Sequence, residues 1–235
     1  GDAMTGDLGT SYRTGESVLG ALMDRFPNTL QITLLGLLAA LAVALPLGVM
    51  SAVWRRSPID HASRILALLG ASMPSYWVAY LLILLFAVRL KVLPVAGQGT
   101  WQHLVLPSVT LGLGASASLM RLTRSEMLEV LGQDFIRTSR AKGLGPRAVV
   151  VGHALRNALI PVTTVAGLRF AGLLGGAVIV ETIFAWPGIG KFVLDSIFDR
   201  DYPVVQGFVM FMGTVFLLVN LLVDLSYAWL DPRIR

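Results

Sequence analysis

Leu34-Leu-Gly-Leu-Leu-Ala-Ala-Leu-Ala-Val-Ala-Leu-Pro-Leu-Gly-Val-Met-Ser-Ala-Val-Trp54 decides the fold. It is the apolar core of a run, Phe26 to Trp54, that holds no charged residue. About 20 mostly apolar residues in an α-helix cross the hydrocarbon of a bilayer, where each backbone polar group must be bonded within the helix. Working outward, four more such runs follow. They are Ile65 to Val88, Leu104 to Met120 with an extension to about Thr123, Asn157 to Val180 interrupted only by Arg169, and Tyr202 to Val223. The expected fold is therefore an all-α polytopic membrane protein, with spans at about 29–54, 65–88, 104–123, 157–181 and 202–230.

Composition agrees. Of the 235 residues, 55% are hydrophobic and 14% charged, against roughly 25% charged in soluble globular proteins. That excludes an ordinary soluble enzyme. The formal net charge of +5 would suit nucleic acid if it gathered on one face. It lies instead between apolar runs, so no nucleic-acid partner is expected. There is no cysteine, hence no disulfide, thiolate metal site or thiol nucleophile.

Lys and Arg orient the spans, because they favour the cytoplasmic side. Arg55, Arg56 and Arg64 follow the first span. Arg121, Arg124, Arg137, Arg140, Lys142, Arg147 and Arg156 lie between the third and fourth, and Arg233 and Arg235 close the chain. The opposite side holds fewer: Arg13, Arg25, Arg89, Lys91, Lys191 and Arg200. The C-terminus is thus expected in the cytoplasm and residues 1–25 outside it. Those residues contain no apolar segment to carry them across, and the sequence opens at Gly1 with its first Met at position 4. An earlier span, six in the full protein, is the expectation.

Arg121 to Arg156 is long for a connection between packed helices, and long loops usually have a task. It reads as a helical continuation to Leu131, a break at Gly132, a short helix from Phe135 to Lys142, a turn at Gly143-Leu-Gly-Pro146 and a further helix start. A solvated basic connector is the plain alternative. The strings Asp134-Phe-Ile-Arg-Thr-Ser-Arg-Ala-Lys-Gly-Leu144 and His153-Ala-Leu-Arg-Asn-Ala-Leu-Ile-Pro161, however, resemble the cytoplasmic "EAA" loop of ABC importer permeases. The family pattern is E-A-A-x-x-x-G, then nine residues, then I-x-L-P. Here Arg137-Thr-Ser replaces Glu-Ala-Ala, Gly143 and Leu155 match, and His153-Ala-Leu-Arg156 stands in the last position. These departures resemble the peptide/nickel branch. So do Gly6-Asp-Leu-Gly-Thr-Ser11, Glu181-Thr-Ile-Phe-Ala-Trp-Pro-Gly-Ile-Gly190, Arg200-Asp-Tyr-Pro-Val-Val-Gln206, Asn220-Leu-Leu-Val-Asp224 and Asp231-Pro-Arg-Ile-Arg235.

The resemblance implies a transmembrane domain over residues 26–235 in the bacterial inner (plasma) membrane. It implies a second homologous permease subunit, two ATPase subunits and an extracytoplasmic substrate-binding protein as partners, besides membrane lipid. A coupling loop at about 132–156 would dock on the ATPase through Arg137, Thr138, Ser139, Arg140, Ala141, Lys142, Gly143, Leu144, His153 and Arg156. The chain has no G-x-x-x-x-G-K-S/T phosphate loop, so no cofactor is expected on it, and ATP and Mg belong to the partner subunits. It is read as non-catalytic, with no catalytic residues. Trp186, Asp195, Asp199 and Asp201, in the connection from Phe184 to Asp201, would receive the binding protein; a capped interfacial helix is the alternative.

Polar residues inside spans mark the candidate path. Arg169 lies midway between Asn157 and Glu181, and a central Arg costs about 2.5–3.5 kcal/mol on insertion scales. Glu181 is roughly 18 Å further along the helix, so Arg169 is expected to line an aqueous path and to favour cargo with carboxylates. Ser72, Met73 and Tyr76 flank Pro74, which must break the second span; a simple packing kink is the other reading. Asn220 lines the path or bonds a neighbouring helix. His61 and His153 are placed on one side and His103 on the other, so no metal site is expected. Dipeptides or oligopeptides are the first expected cargo, and nickel or a nickel chelate the second. An ion-coupled secondary transporter would need a carboxylate near mid-membrane, and the runs above contain none there.

Overall fold

The structure, a computed structural model, describes residues 7–230. The expected strings at Gly6 and at Asp231–Arg235, with Arg233 and Arg235, fall partly or wholly outside the described residues. The described elements run α1 Val18–Val53, α2 Pro58–Ser72, α3 Ser75–Leu82, α4 Gln102–Leu131, α5 Asp134–Ala141, α6 Arg156–Ile183, α7 Ile189–Phe198 and α8 Tyr202–Leu230. Wider π-helical turns extend α3 over Ile83–Arg89 and precede α6 over Ala148–Leu155. Among the described residues, α1, α4, α8 and the Ala148–Ile183 stretch are long and apolar enough to cross a membrane. The pair α2 and α3 makes a fifth span if read as one broken helix.

Local chemistry sets the helix ends. Ser57 caps α2 by accepting from the Asp60 N–H at 3.3 Å. Pro58 occupies the first helical position, where a missing N–H leaves nothing unpaired. α2 stops at Ser72 because Met73 and Pro74 are both extended. Proline cannot donate to the ladder, and it disfavours helical geometry in the residue before it. The expected break in the second span is therefore present.

The chain forms two compact units, each containing a stretch of α1, α4, α6 and α8. The first holds residues through Gly36, Pro74–Leu111 and Phe170–Leu221. Its main core gathers Ile32, Ala79, Leu106, Leu111, Ala177, Val180, Phe184 and Trp186. The second unit holds Leu37–Met73, Gly112–Arg169 and the chain from Leu222. Its core is Ala52, Met127, Val130, Ile136, Val149, Ala154 and Ala158. Burying one such large aliphatic side chain contributes about 1.5–3 kcal/mol.

Candidate functional site

Within the second unit, α5 forms where the sequence places a short helix. Ile136 is its one buried residue and is fully inside the core. The other side chains on α5 are exposed or half-exposed. Thr138 and Ser139 turn their hydroxyls onto the helix, donating to the Asp134 and Phe135 carbonyls at 3.1 and 2.8 Å. Arg137 reaches Asp134 at 3.6 Å, but both are almost wholly solvated, so the pair adds little.

The end of α5 is closed by two backbone bonds. Leu144 N–H donates to Ser139 C=O at 3.3 Å, and Gly143 N–H donates to Arg140 C=O at 3.0 Å. This is the Schellman arrangement, which needs a left-handed residue, and Gly143 sits at φ +80°. Ala141, Lys142, Gly143, Leu144, His153 and Arg156 are all exposed. The result is a rigid, stopped helix that presents cations and is pinned to its unit by a single aliphatic residue.

Two polar clusters in these units escape a reading of sequence. In the second unit Asp60, 1% exposed, takes both arms of Arg124, with Nε–Oδ1 at 2.8 Å and Nη2–Oδ2 at 2.9 Å. The same carboxylate accepts from Ser51 Oγ at 2.6 Å and Arg56 N–H at 3.0 Å. This joins the end of α1, the start of α2 and the later part of α4. In the first unit Glu181, fully buried at the end of α6, accepts from Thr29 Oγ1 at 2.5 Å and from Lys191 N–H at 2.8 Å. Its carboxylate thus lies at the first turn of α7, where free N–H groups favour an anion. A methyl group at Gly188 would overlap that carboxylate and displace it from Thr29 and Lys191.

The same corner relocates half of the expected docking set. Trp186 is 4% exposed, and its indole N–H donates to Asn28 C=O at 3.0 Å. Asp201 is 3% exposed and accepts from Ser11 Oγ at 2.5 Å and from the N–H groups of Tyr12 and Arg13. It also accepts from Val204 N–H, capping α8. Burial pushes the Asp201 carboxyl up, but these hydrogen bonds outweigh it and hold the group below its ordinary value. Both residues are structural and internal, not surface contacts: an indole and a carboxylate that find partners inside are not free to meet another protein. Asp195 and Asp199 do reach the surface, paired with Lys191 and Arg13.

The path candidates divide between the units. In the second, Ser72 is exposed at the end of α2, donating to Leu68 C=O at 2.8 Å, and Met73 is extended. Arg169 is exposed on α6 and forms no hydrogen bond or ion pair with the described residues. In the first, Tyr76 joins Tyr80, Ile179 and Thr182 around an apolar cavity of about 370 Å³. Asn220 Oδ1 is buried without a partner among the described residues.

Comparison with known proteins gives these features a family. Residues 44–235 match the family described as "Binding-protein-dependent transport system inner membrane component". The dipeptide transport system permease protein DppB of Escherichia coli is 43% identical, over 99% of this chain and 78% of the relative. The glutathione transport system permease protein GsiC of Escherichia coli is 42% identical, over 100% of this chain and 76% of the relative. In fold, the chain is similar to the MetNI methionine ABC transporter in an inward-facing crystal form. That likeness has a TM-score of 0.76 at 19% identity and covers 90% of this chain and 97% of that one. On the family match and the identity of these relatives, the chain belongs to the family of inner-membrane components of binding-protein-dependent transport systems, within the group of ABC permeases that includes DppB and GsiC.

Proposed function

We propose that this chain is the non-catalytic permease subunit of an ATP-driven importer and forms half of the path for dipeptides or oligopeptides. It works with a second homologous permease, two ATPase subunits that hold ATP and Mg, and an extracytoplasmic binding protein. Its C-terminus and the 132–156 segment face the cytoplasm, following the distribution of Lys and Arg. The peptide assignment is supported by the relatives, a dipeptide transport permease in DppB and a glutathione transport permease in GsiC.

The observation that carries the reading is the construction of α5. Its backbone bonds are closed at the Gly143 end, and Ile136 seats it in the same core as Met127 of α4 and Ala158 of α6. A push on the exposed Arg137, Arg140 and Lys142 therefore moves packed helices, because close-packed interiors transmit displacement. On the path, Arg169 offers a cation without a counter-ion among the described residues. Such a group at bilayer depth belongs beside water or an anionic cargo group.

Co-purification tests the reading. The ATPase subunits should accompany the intact protein, and Arg137→Glu with Arg140→Glu should weaken that association. Association unchanged by both reversals would refute α5 as the contact. Cargo is tested separately by Arg169→Gln, which should lower uptake of acidic peptides relative to neutral ones; equal uptake across a peptide panel would refute the role of Arg169.

A further inference from the structure

The second unit contains a cavity of about 660 Å³ between α2 and α4. His61, Arg64, Ile65 and Leu68 line it from α2, and Arg121 and Arg124 line it from α4. The spacing explains the lining. His61, Arg64, Ile65 and Leu68 fall at i, i+3, i+4 and i+7, one face of a helix, and Arg121 and Arg124 fall at i and i+3. No acidic residue lines the cavity. The nearby Asp60 is already taken by Arg124 through both of its oxygens. His61, Arg64 and Arg121 are exposed and have no hydrogen-bond or ion-pair partner among the described residues. The cavity is thus a cationic recess whose charge is not balanced among the described residues that line it.

Its depth is given by the sequence. On α2, Arg64 is the last charged residue before the uncharged run that begins at Ile65. On α4, Arg121 is the first charged residue after the run that ends at Met120. Both changes from charged to apolar occur in this one cavity, so it lies at the level where headgroups meet hydrocarbon. Ile65 and Leu68 are 58% and 62% exposed beside the cations. A soluble anion has no use for that apolar wall; an acyl chain does.

We propose that this cavity is a binding site for the phosphate headgroup of an anionic phospholipid, with an acyl chain along Ile65 and Leu68. Arg64 and Arg121 present guanidinium forks to the phosphate oxygens, a geometry suited to bidentate contact. Basic recesses between membrane helices recognise headgroups in this way. The site shares no residue with α5 or with the path candidates, and it adds lipid dependence to the transporter.

The test uses the intact transporter in nanodiscs with a photo-crosslinkable phosphatidylglycerol, competed by unlabelled phosphatidylglycerol, phosphatidylcholine or inorganic phosphate. Labelling should map to α2 and α4 and be competed only by phosphatidylglycerol. Arg64→Gln with Arg121→Gln should weaken competition about 30-fold, at about fivefold per charge. The Arg64→Lys, Arg121→Lys pair keeps the charge but loses the forks, so its affinity should fall between that of the unaltered protein and that of the Gln pair. Equal labelling of the Gln pair, or equal competition by phosphatidylcholine, overturns the proposal. Displacement by inorganic phosphate assigns the cavity to a soluble anion and overturns it too. So does labelling that appears only after the second permease is removed, since a subunit interface then fills the recess.

Discussion

Removing either member of the Asp60–Arg124 pair should not have the same effect. Arg124→Gln leaves Asp60 charged, 2% exposed at its side chain, and stripped of its strongest donors. Breaking a buried pair in that direction costs about 3–5 kcal/mol. Asp60→Asn leaves the guanidinium instead, whose side chain is 22% exposed and borders the 660 Å³ cavity, where water can replace lost bonds. The new amide does point a donor at Arg124 or at Arg56 N–H, so a smaller loss of about 2–3 kcal/mol is expected, in the upper part of the range for hydrogen bonds to charged groups. Domains of this size shift by about 2–4 °C per kcal/mol. In melting curves of the intact complex in nanodiscs, Asp60→Asn should therefore lower the midpoint by roughly 4–12 °C and Arg124→Gln by more. The double variant should lose less than the sum, by at least about 1 kcal/mol. Equal effects, or additive ones, would refute the view that a desolvated carboxylate dictates this pairing.

Other variants separate seating from contact. Ile136→Ala removes the only buried side chain of α5 and should cost about 2–5 kcal/mol locally; nucleotide hydrolysis that persists while uptake falls is the expected signature. Gly188→Ala should destabilise the α6–α7 corner by about 1–3 kcal/mol, because the methyl overlaps Glu181; unchanged protease resistance of that corner would count against it. Asp201 has a lowered pKa, so its stabilisation is present above the ordinary carboxylate value and is lost as pH falls through the lower folded value. Acid melting should show this loss below about pH 4, and Asp201→Asn should abolish it.

Much of the fold was legible because a bilayer imposes length and charge rules on sequence. The charge-free run ending at Trp54, the break at Pro74 and the stop at Gly143 each report on a local constraint, and local constraints survive without a partner in view. The polar clusters did not show themselves. Asp60 and Arg124 are 64 positions apart and look like two ordinary basic-side residues. Asp195, Asp199 and Asp201 read as one acidic surface group, since carboxylates are seldom buried. The approach of Ser11 and the turn after it, together with the cap Asp201 forms on α8, separate it from the other two. Trp186 was equally ambiguous: an aromatic next to Pro-Gly suits an interface, and the Asn28 carbonyl that draws it inward lies in another span.

With Ile136 alone committed to the interior, the outward positions of α5 are released from the demands of folding. If α5 meets the ATPase as proposed, substitutions at Arg137, Arg140 or Lys142 would track changes on that partner while the seat of the helix stays as it is. Under the proposed coupling role, such a chain could be re-addressed to a different ATPase by rewriting a few solvated positions, with its membrane helices left untouched.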